Sequence, residues 1–94
     1  MRIVCLDYDE SYNTFPELFE TIIEKSHELG YTVILATMRF EHESDNILEK
    51  LSERIPVYFT GRRGKMNFLR DLGINPDIWI DDAPHWIMND SIVS

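Results

Sequence analysis

The sequence predicts an α/β fold in which a parallel sheet of about four strands lies between two layers of helices. Two observations predict it. Short apolar runs alternate along the chain with longer stretches in which apolar residues recur every three to four positions, and the connections between them are only a few residues long. Strands joined through helices pair in parallel by right-handed crossovers. A chain of 94 residues has room for one domain, residues 1–94.

The first half of the chain predicts two strands separated by a helix. Residues 2–6 are a β-favouring apolar run that ends abruptly at Asp7, as a buried strand does when its end carries polar groups. A helix is predicted over 15–29, because the apolar residues follow helical spacing, Pro16 suits a first helical turn and Gly30 is a good C-terminal stop. Residues 31–36 are predicted to form the second strand.

The second half predicts two more helices, two more strands and a final short turn or helix that packs on the sheet. Pro56 precedes an apolar run that favours a strand, and Gly73 is predicted to end the helix before the last strand. The predicted helices are 43–54 and 65–72, the predicted strands are 57–60 and 77–80, and the final segment is 83–94.

Composition limits the functions that the chain can serve. Nine basic and seventeen acidic residues give a formal charge of −8, which argues against a dedicated nucleic-acid-binding surface. No apolar run approaches the roughly 18 residues that span a bilayer, and the N-terminal run is too short for a secretory signal. We therefore expect a cytoplasmic protein with no membrane partner. Cys5, the lone cysteine, is predicted to be a small core residue.

Acidic and hydroxyl side chains follow the predicted strands. Asp7 and Asp9 follow the first strand, Thr37 the second, and Asp81 and Asp82 the fourth. The carboxyl ends of parallel strands share one edge of the sheet, where open α/β sheets bind their ligands. Carboxylates that meet there repel one another unless a cation neutralises them, and hard oxygen ligands suit Mg²⁺. The four acids therefore predict Mg²⁺ as the cofactor.

The spacing of the first two acids permits phosphate chemistry. Residues two apart in an extended chain point to the same side, so Asp7 and Asp9 can face one substrate. One carboxylate is suited to attack phosphorus, while the other exchanges a proton with the leaving group and later with water. Thr37 is suited to bind a phosphoryl oxygen, and Lys65 to pair with the negative charge that grows during transfer.

Four segments resemble, in order, the motifs of the haloacid dehalogenase (HAD) superfamily. The family's first motif, D-x-D-x-T/V, is similar to Asp7-Tyr8-Asp9-Glu10-Ser11, and its second, a Ser or Thr that closes an apolar strand, is similar to residues 33–37. The third motif, a Lys at a helix start, resembles Lys65 after Gly64, and the fourth, an acidic pair after a strand, resembles Asp81-Asp82. Together they span most of the chain.

The resemblance implies a phosphatase that acts through an aspartyl-phosphate on a Rossmann-like sheet of strand order 3-2-1-4. Asp7 would be the nucleophile and Asp9 the general acid and base, while Thr37 and Lys65 would position and neutralise the phosphoryl group. The resemblance also implies the ligands of Mg²⁺: the Asp7 side chain, the Asp9 backbone carbonyl and the acidic pair, with Asp82 as the more frequent ligand and Asp81 in support.

Several substrate-binding residues are also expected. Ser11 stands where Thr is commoner in the first motif and keeps the hydroxyl. Thr37-Met38-Arg39 is similar to the T-x-R of nucleotidase-like members, which makes Arg39 a candidate substrate contact. Arg62 and Arg63 are further candidates to bind phosphate, and either is an alternative to Lys65 as the third-motif cation.

The segments between the motifs leave no residues for a cap domain. Residues 11–37 and 37–65 each hold one helix and one strand. A site without a cap is open, so we expect the substrate to be a phosphorylated small molecule or an accessible macromolecular phosphate, such as that on a nucleotide or nucleic-acid end. Closure of the site by a partner subunit, in a homo-oligomer, is the alternative.

Other functions fit the residues less well. A calcium loop that begins at Asp7 lacks the Gly and the Glu that it needs, since Tyr12 and Leu18 hold those positions. A phospho-receiver domain carries its acidic pair after the first strand, whereas here the pair comes last. The alternative that stays open is a non-catalytic HAD-like module that binds a phosphorylated ligand or a protein. Trp86 is predicted either to lie in the core or to line the bottom of the site.

Overall fold

The computed structural model describes residues 2–92 and contains a four-stranded, all-parallel sheet in the order β3-β2-β1-β4. The strands are β1 (Ile3–Leu6), β2 (Thr32–Thr37), β3 (Val57–Phe59) and β4 (Ile78–Ile80). The helices are α1 (Pro16–Glu28), α2 (Asn46–Ser52), α3 (Lys65–Asp71) and α4 (His85–Met88). The predicted α/β class and the predicted strand order are both confirmed.

The helix ends follow local signals, and one helix is shorter than predicted. Pro16 opens α1, and Gly30 follows its end with a φ of 82° that favours glycine. The predicted helix 43–54 is α2 alone, because the Asp45 side chain accepts a hydrogen bond from the Leu48 N–H at 2.8 Å and so caps the helix there. Residues Glu41–Glu43 form a separate 3₁₀ turn. The predicted segment 83–94 contains α4, and its last two residues lie outside the described ones.

Strand register aligns the carboxyl end of β1 with those of its two neighbours, β2 and β4. Leu6 of β1 pairs with Leu35 of β2 on one side and with Ile80 of β4 on the other. One residue further on, the Asp7 N–H donates to the Ile80 carbonyl oxygen at 3.0 Å. The chain segments that follow β1 and β4 therefore leave the sheet side by side, and their side chains share one edge.

Hydrophobic side chains cover both faces of the sheet. One face carries the larger buried cluster, which includes Leu6 and Leu35 from the strands, Phe19 from α1 and Leu48 from α2. The opposite face carries a smaller buried cluster, which consists of Cys5, Ile34, Ala36 and Leu69. Within residues 2–92, the helices fall short of the length and apolar character that a bilayer-spanning helix needs.

Cys5 lies in the core, as predicted. Its side chain is buried beside Ile34 and Ala36, and burial raises the pKa of its thiol to about 12. A thiol of this kind stays protonated at neutral pH, so it is a poor nucleophile.

Candidate active site

Three carboxylates and one ammonium group meet at the carboxyl edge of the sheet. Asp7 follows β1, Asp81 and Asp82 follow β4, and ligand oxygens of the three acids all lie within 4.8 Å of one another. Lys65, the first residue of α3, places its Nζ 2.6 Å from Asp7 Oδ1 and 2.6 Å from Asp81 Oδ2. Three of the four acids expected at one rim therefore meet, whereas the side chain of the fourth, Asp9, pairs with Arg39.

The start of α3 is held in place by the segment after α4. A Cβ on Gly64 would lie 3.0 Å from the backbone of Met88 and Asn89, so glycine allows this close approach. The Gly64 N–H also donates to Asp90 Oδ1 at 2.6 Å. Because Lys65 follows directly, this contact fixes the direction in which its buried side chain enters the cluster.

Burial perturbs the ionisation of the cluster. Burial is the largest cause that raises the pKa of Asp7 to about 7; its contact with Asp82 also raises this pKa, while the Lys65 ammonium lowers it. Asp82 is exposed, and its interaction with Asp7 holds its own pKa below the usual range. Burial alone would lower the pKa of Lys65, but Asp7 and Asp81 raise it. Lys65 is therefore an ammonium ion.

Ser11 bridges two of the acids from an irregular turn. Its hydroxyl lies 3.0 Å from Asp7 Oδ2 and 3.2 Å from Asp82 Oδ1, and it can donate to one of them at a time. The turn that carries it, Tyr8–Tyr12, departs from helical geometry at Glu10, whose φ of 60° is left-handed. Such a conformation costs a non-glycine residue roughly 1 kcal/mol, and the Asn13 side chain compensates by accepting from the Glu10 N–H at 2.8 Å.

Asp9 lies on the pocket wall and is paired with Arg39. The Arg39 Nη2 is 2.7 Å from Asp9 Oδ1, and Nε is 3.1 Å from Oδ2, which is the forked arrangement of an arginine–carboxylate pair. Asp9 remains half-exposed on its other side. The structure thus places the expected acid–base residue at the pocket, where the Arg39 guanidinium holds its carboxylate.

Thr37 is close to the site but faces the protein interior. It is the last residue of β2 and is buried, and its Oγ1 accepts a hydrogen bond from the Arg39 N–H at 3.3 Å. The next residue, Met38, lines the pocket in its place. In this structure Thr37 shapes the turn that carries Arg39.

A pocket of about 350 Å³ opens over the cluster. Its walls combine the acids with an apolar side, and Lys65 is the cation among the described residues that line it. Trp86, which the sequence left either in the core or at the site, is partly exposed and belongs to the apolar side with Met38 and Ala83. The lining residues are Asp7, Asp9, Glu10, Asn13, Met38, Lys65, Asp81, Asp82, Ala83 and Trp86.

Arg62 and Arg63 lie outside this pocket. The Arg62 guanidinium donates to the Met38 carbonyl at 2.7 Å and to Glu43 Oε2 at 3.0 Å. The Arg63 guanidinium pairs with Asp71 at 2.8 Å on the protein surface. Of the three cations considered for the third motif, Lys65 is the one that the structure brings to Asp7.

Sequence reasoning missed the support behind Asp9. The Tyr8 hydroxyl donates to Asp45 Oδ2 at 2.7 Å, and the same oxygen lies 3.4 Å from Arg39 Nη1. Asp45 stands just before a run with helical spacing, which is the signal of a helix cap. That signal predicts its bond to the helix but carries no information about Tyr8, 37 residues away in the chain.

Comparison of the chain with protein-family models, with curated proteins and with solved structures finds no match. The residues of the site and their geometry are therefore the basis on which a function can be proposed.

Proposed function

We propose that this chain is a Mg²⁺-dependent phosphate-monoester hydrolase that works through an aspartyl-phosphate, as a capless member of the HAD superfamily that its motifs resemble. The observation that carries the proposal is the buried Asp7 carboxylate, whose two oxygens have different partners. Oδ1 accepts from Lys65, and Oδ2 lies 3.0 Å from the Ser11 hydroxyl, which can donate to it. A nucleophile held at the bottom of a pocket beside an ammonium group matches what phosphoryl transfer requires.

The donor set fits Mg²⁺. Asp7, Asp81 and Asp82 offer hard oxygen ligands within 4.8 Å of one another, and one ammonium group neutralises only part of their charge when all are ionised. Asp7 and Asp82 would hold the ion with the Asp9 backbone carbonyl, while Asp81, which is bound to Lys65 and to the Ala83 N–H, would support them. When bound, Mg²⁺ neutralises phosphoryl charge and aligns the phosphate with Asp7.

In the first half of the reaction, an Asp7 carboxylate oxygen attacks phosphorus and the bond from phosphorus to the leaving oxygen breaks. Protonated Asp9 gives its proton to that oxygen as the bond breaks, so the product leaves as an alcohol. Lys65 uses two N–H groups on Asp7 and Asp81, and its third can bind a phosphoryl oxygen. Its positive charge offsets the charge that builds up on the transferring group.

In the second half, water attacks phosphorus and the bond between phosphorus and Asp7 breaks. Asp9 accepts the proton of the water, which returns both carboxyl groups to their starting forms and releases inorganic phosphate. Asp9 is half-exposed at the pocket wall, so it can reach both the leaving oxygen and the incoming water.

The pocket favours a substrate with one phosphate and an accessible leaving group. Lys65 is the cation among the described lining residues, whereas Arg39, Arg62 and Arg63 each pair with acidic side chains of the protein. Additional phosphates would meet the acidic rim at Glu10. Trp86 and Met38 offer an apolar surface to an uncharged leaving group, such as the sugar or base of a nucleotide. We propose that such substrates are met in the cytoplasm.

The test is phosphate release from a generic aryl phosphate with millimolar Mg²⁺ and again after EDTA. We expect turnover that EDTA abolishes and that fresh Mg²⁺ restores. Asp7→Asn, which keeps the shape of the side chain, is the matched control and should be inactive.

Binding of phosphate esters without any turnover would contradict the proposal. That result would favour the remaining alternative, a module that binds a phosphorylated ligand without chemistry.

A further inference from the structure

We propose that Arg39 is a positioning residue, which holds the Asp9 carboxylate in place for proton transfer and does not itself bind substrate. This inference rests on the proposed function and deepens it, because it assigns a role to a residue whose guanidinium binds the carboxylate of the proposed acid–base residue. It also differs from the expectation drawn from the sequence, in which Arg39 contacts the substrate.

The contact between Arg39 and Asp9 is bidentate. Arg39 Nη2 lies 2.7 Å from Asp9 Oδ1, and Nε lies 3.1 Å from Oδ2 and 3.3 Å from Oδ1. Every side-chain hydrogen bond that Asp9 makes within residues 2–92 comes from this guanidinium. Two parallel N–H donors fix both the place and the plane of a carboxylate, which a single bond does not.

The rest of the guanidinium is engaged by the protein. Nη1 donates to the Glu43 carbonyl at 2.8 Å and lies 3.4 Å from Asp45 Oδ2, while the guanidinium carbon is 5.0 Å from the centre of the Tyr8 ring. The Arg39 side chain is 24% exposed. Four of its five N–H groups thus have protein acceptors, which leaves little of the fork for a substrate phosphate.

The groups that hold Arg39 are themselves held. Asp45 accepts from the Tyr8 hydroxyl at 2.7 Å and from the Leu48 N–H at 2.8 Å at the start of α2. The Arg39 backbone N–H donates to Thr37 Oγ1 at the end of β2. Arg39 therefore connects Asp9 to the start of α2 and to the end of β2. Because both of these elements are ordered, the connection restrains the Asp9 side chain.

Asp9 needs such a support because its own backbone does not supply one. It lies in the irregular turn after β1, next to Glu10 with its positive φ, and its side chain is 49% exposed. Without Arg39 the carboxylate would be free to rotate into solvent, and a displacement of about 1 Å can cost on the order of 100-fold in rate.

The experiment compares Arg39→Ala and Arg39→Lys with wild type on two substrates, an aryl phosphate with a good leaving group and an alkyl phosphate with a poor one. Arg54→Ala is the matched control, because Arg54 also makes a two-bonded pair with a carboxylate, that of Glu20, away from the pocket. We expect Arg39→Ala to lower kcat by about 10- to 100-fold on the alkyl phosphate and less on the aryl phosphate, with KM little changed. Arg39→Lys should restore part of the loss.

Two further measurements make the outcome decisive. In an Asp9→Asn background, Arg39→Ala should lower kcat little further, since the group that it positions is already disabled. Melting temperatures are measured for wild type, Arg39→Ala, Asp9→Asn and the double variant. The double variant should lose less than the sum of the two single losses, whether or not the protein turns over substrate. A raised KM with unchanged kcat, or losses that simply add in both measurements, would overturn the proposal. Coupling in melting temperature without any wild-type turnover would uphold the Asp9–Arg39 positioning contact and refute the proposed hydrolase.

Discussion

Mg²⁺ should stabilise this protein strongly above pH 7 and weakly at pH 5. The reason lies in Asp7, whose pKa burial raises from 3.8 to about 7. Because the folded value lies above the unfolded one, the folded state binds the proton more tightly, and the stability that Asp7 contributes in the metal-free protein is present at acid pH and lost as the pH rises through about 7. Mg²⁺ requires the ionised form, so its binding removes that loss.

The size of the effect follows from the competition between proton and metal. At pH 5 about 1% of folded molecules carry an ionised Asp7, so the apparent affinity for Mg²⁺ should be roughly 100-fold weaker than at pH 8. A Mg²⁺ concentration of about 100 times Kd at pH 8 stabilises the fold by about 2.7 kcal/mol, whereas the same concentration at pH 5 adds only about 0.4 kcal/mol. For a domain of this size, those values correspond to shifts in Tm of roughly 10–20 °C and about 2 °C.

Thermal unfolding at pH 5 and pH 8, with and without Mg²⁺ and at constant ionic strength, measures both shifts. Asp7→Asn is the control, since its amide does not titrate and should show a small shift that is independent of pH. Equal shifts of wild type at the two pH values would mean that the metal binds without Asp7. No shift at pH 8 would show that the three acids do not form a Mg²⁺ site, and either result refutes the reasoning.

Three other perturbations probe the same site. Asp7→Asn should lower kcat below detection, because an amide is a poor nucleophile and a poor Mg²⁺ ligand; wild-type kcat in this variant would exclude the aspartyl-phosphate route. Asp9→Asn should lose on the order of 100-fold or more in kcat with poor leaving groups and less with good ones, which a series of aryl phosphates measures; an equal loss across the series contradicts the acid role. Lys65→Met leaves Asp7 and Asp81 without their buried partner and should destabilise the fold by roughly 3–5 kcal/mol, measured by urea unfolding without metal. A loss below about 1 kcal/mol would mean that the pair adds little.

Much of the fold is encoded by patterns that are local in the chain. The spacing of apolar residues, Pro16 and Gly30 located α1 to within a residue or two, because these signals act within one helical turn. The N-terminal limit of α2 was predicted less well. Helical spacing extended beyond the helix, and the Asp45 cap decided where it begins.

The sequence by itself determined the α/β class, the number of strands and the placement of acids after β1 and β4. The strand order was predicted only through the resemblance of its motifs to a known family, and the tertiary structure established it. The carboxyl ends of parallel strands share a common edge, so a pattern along the chain was enough to predict that Asp7, Asp81 and Asp82 meet, although it also placed Asp9 with them. The tertiary structure decided which side chains pair across that edge. Lys65 reaches Asp7 over 58 residues of sequence, and Arg39 reaches Asp9 over 30, while Arg62 and Arg63 point elsewhere. Such pairings depend on distances and directions of a few ångströms between elements, which residue type and spacing along the chain do not specify.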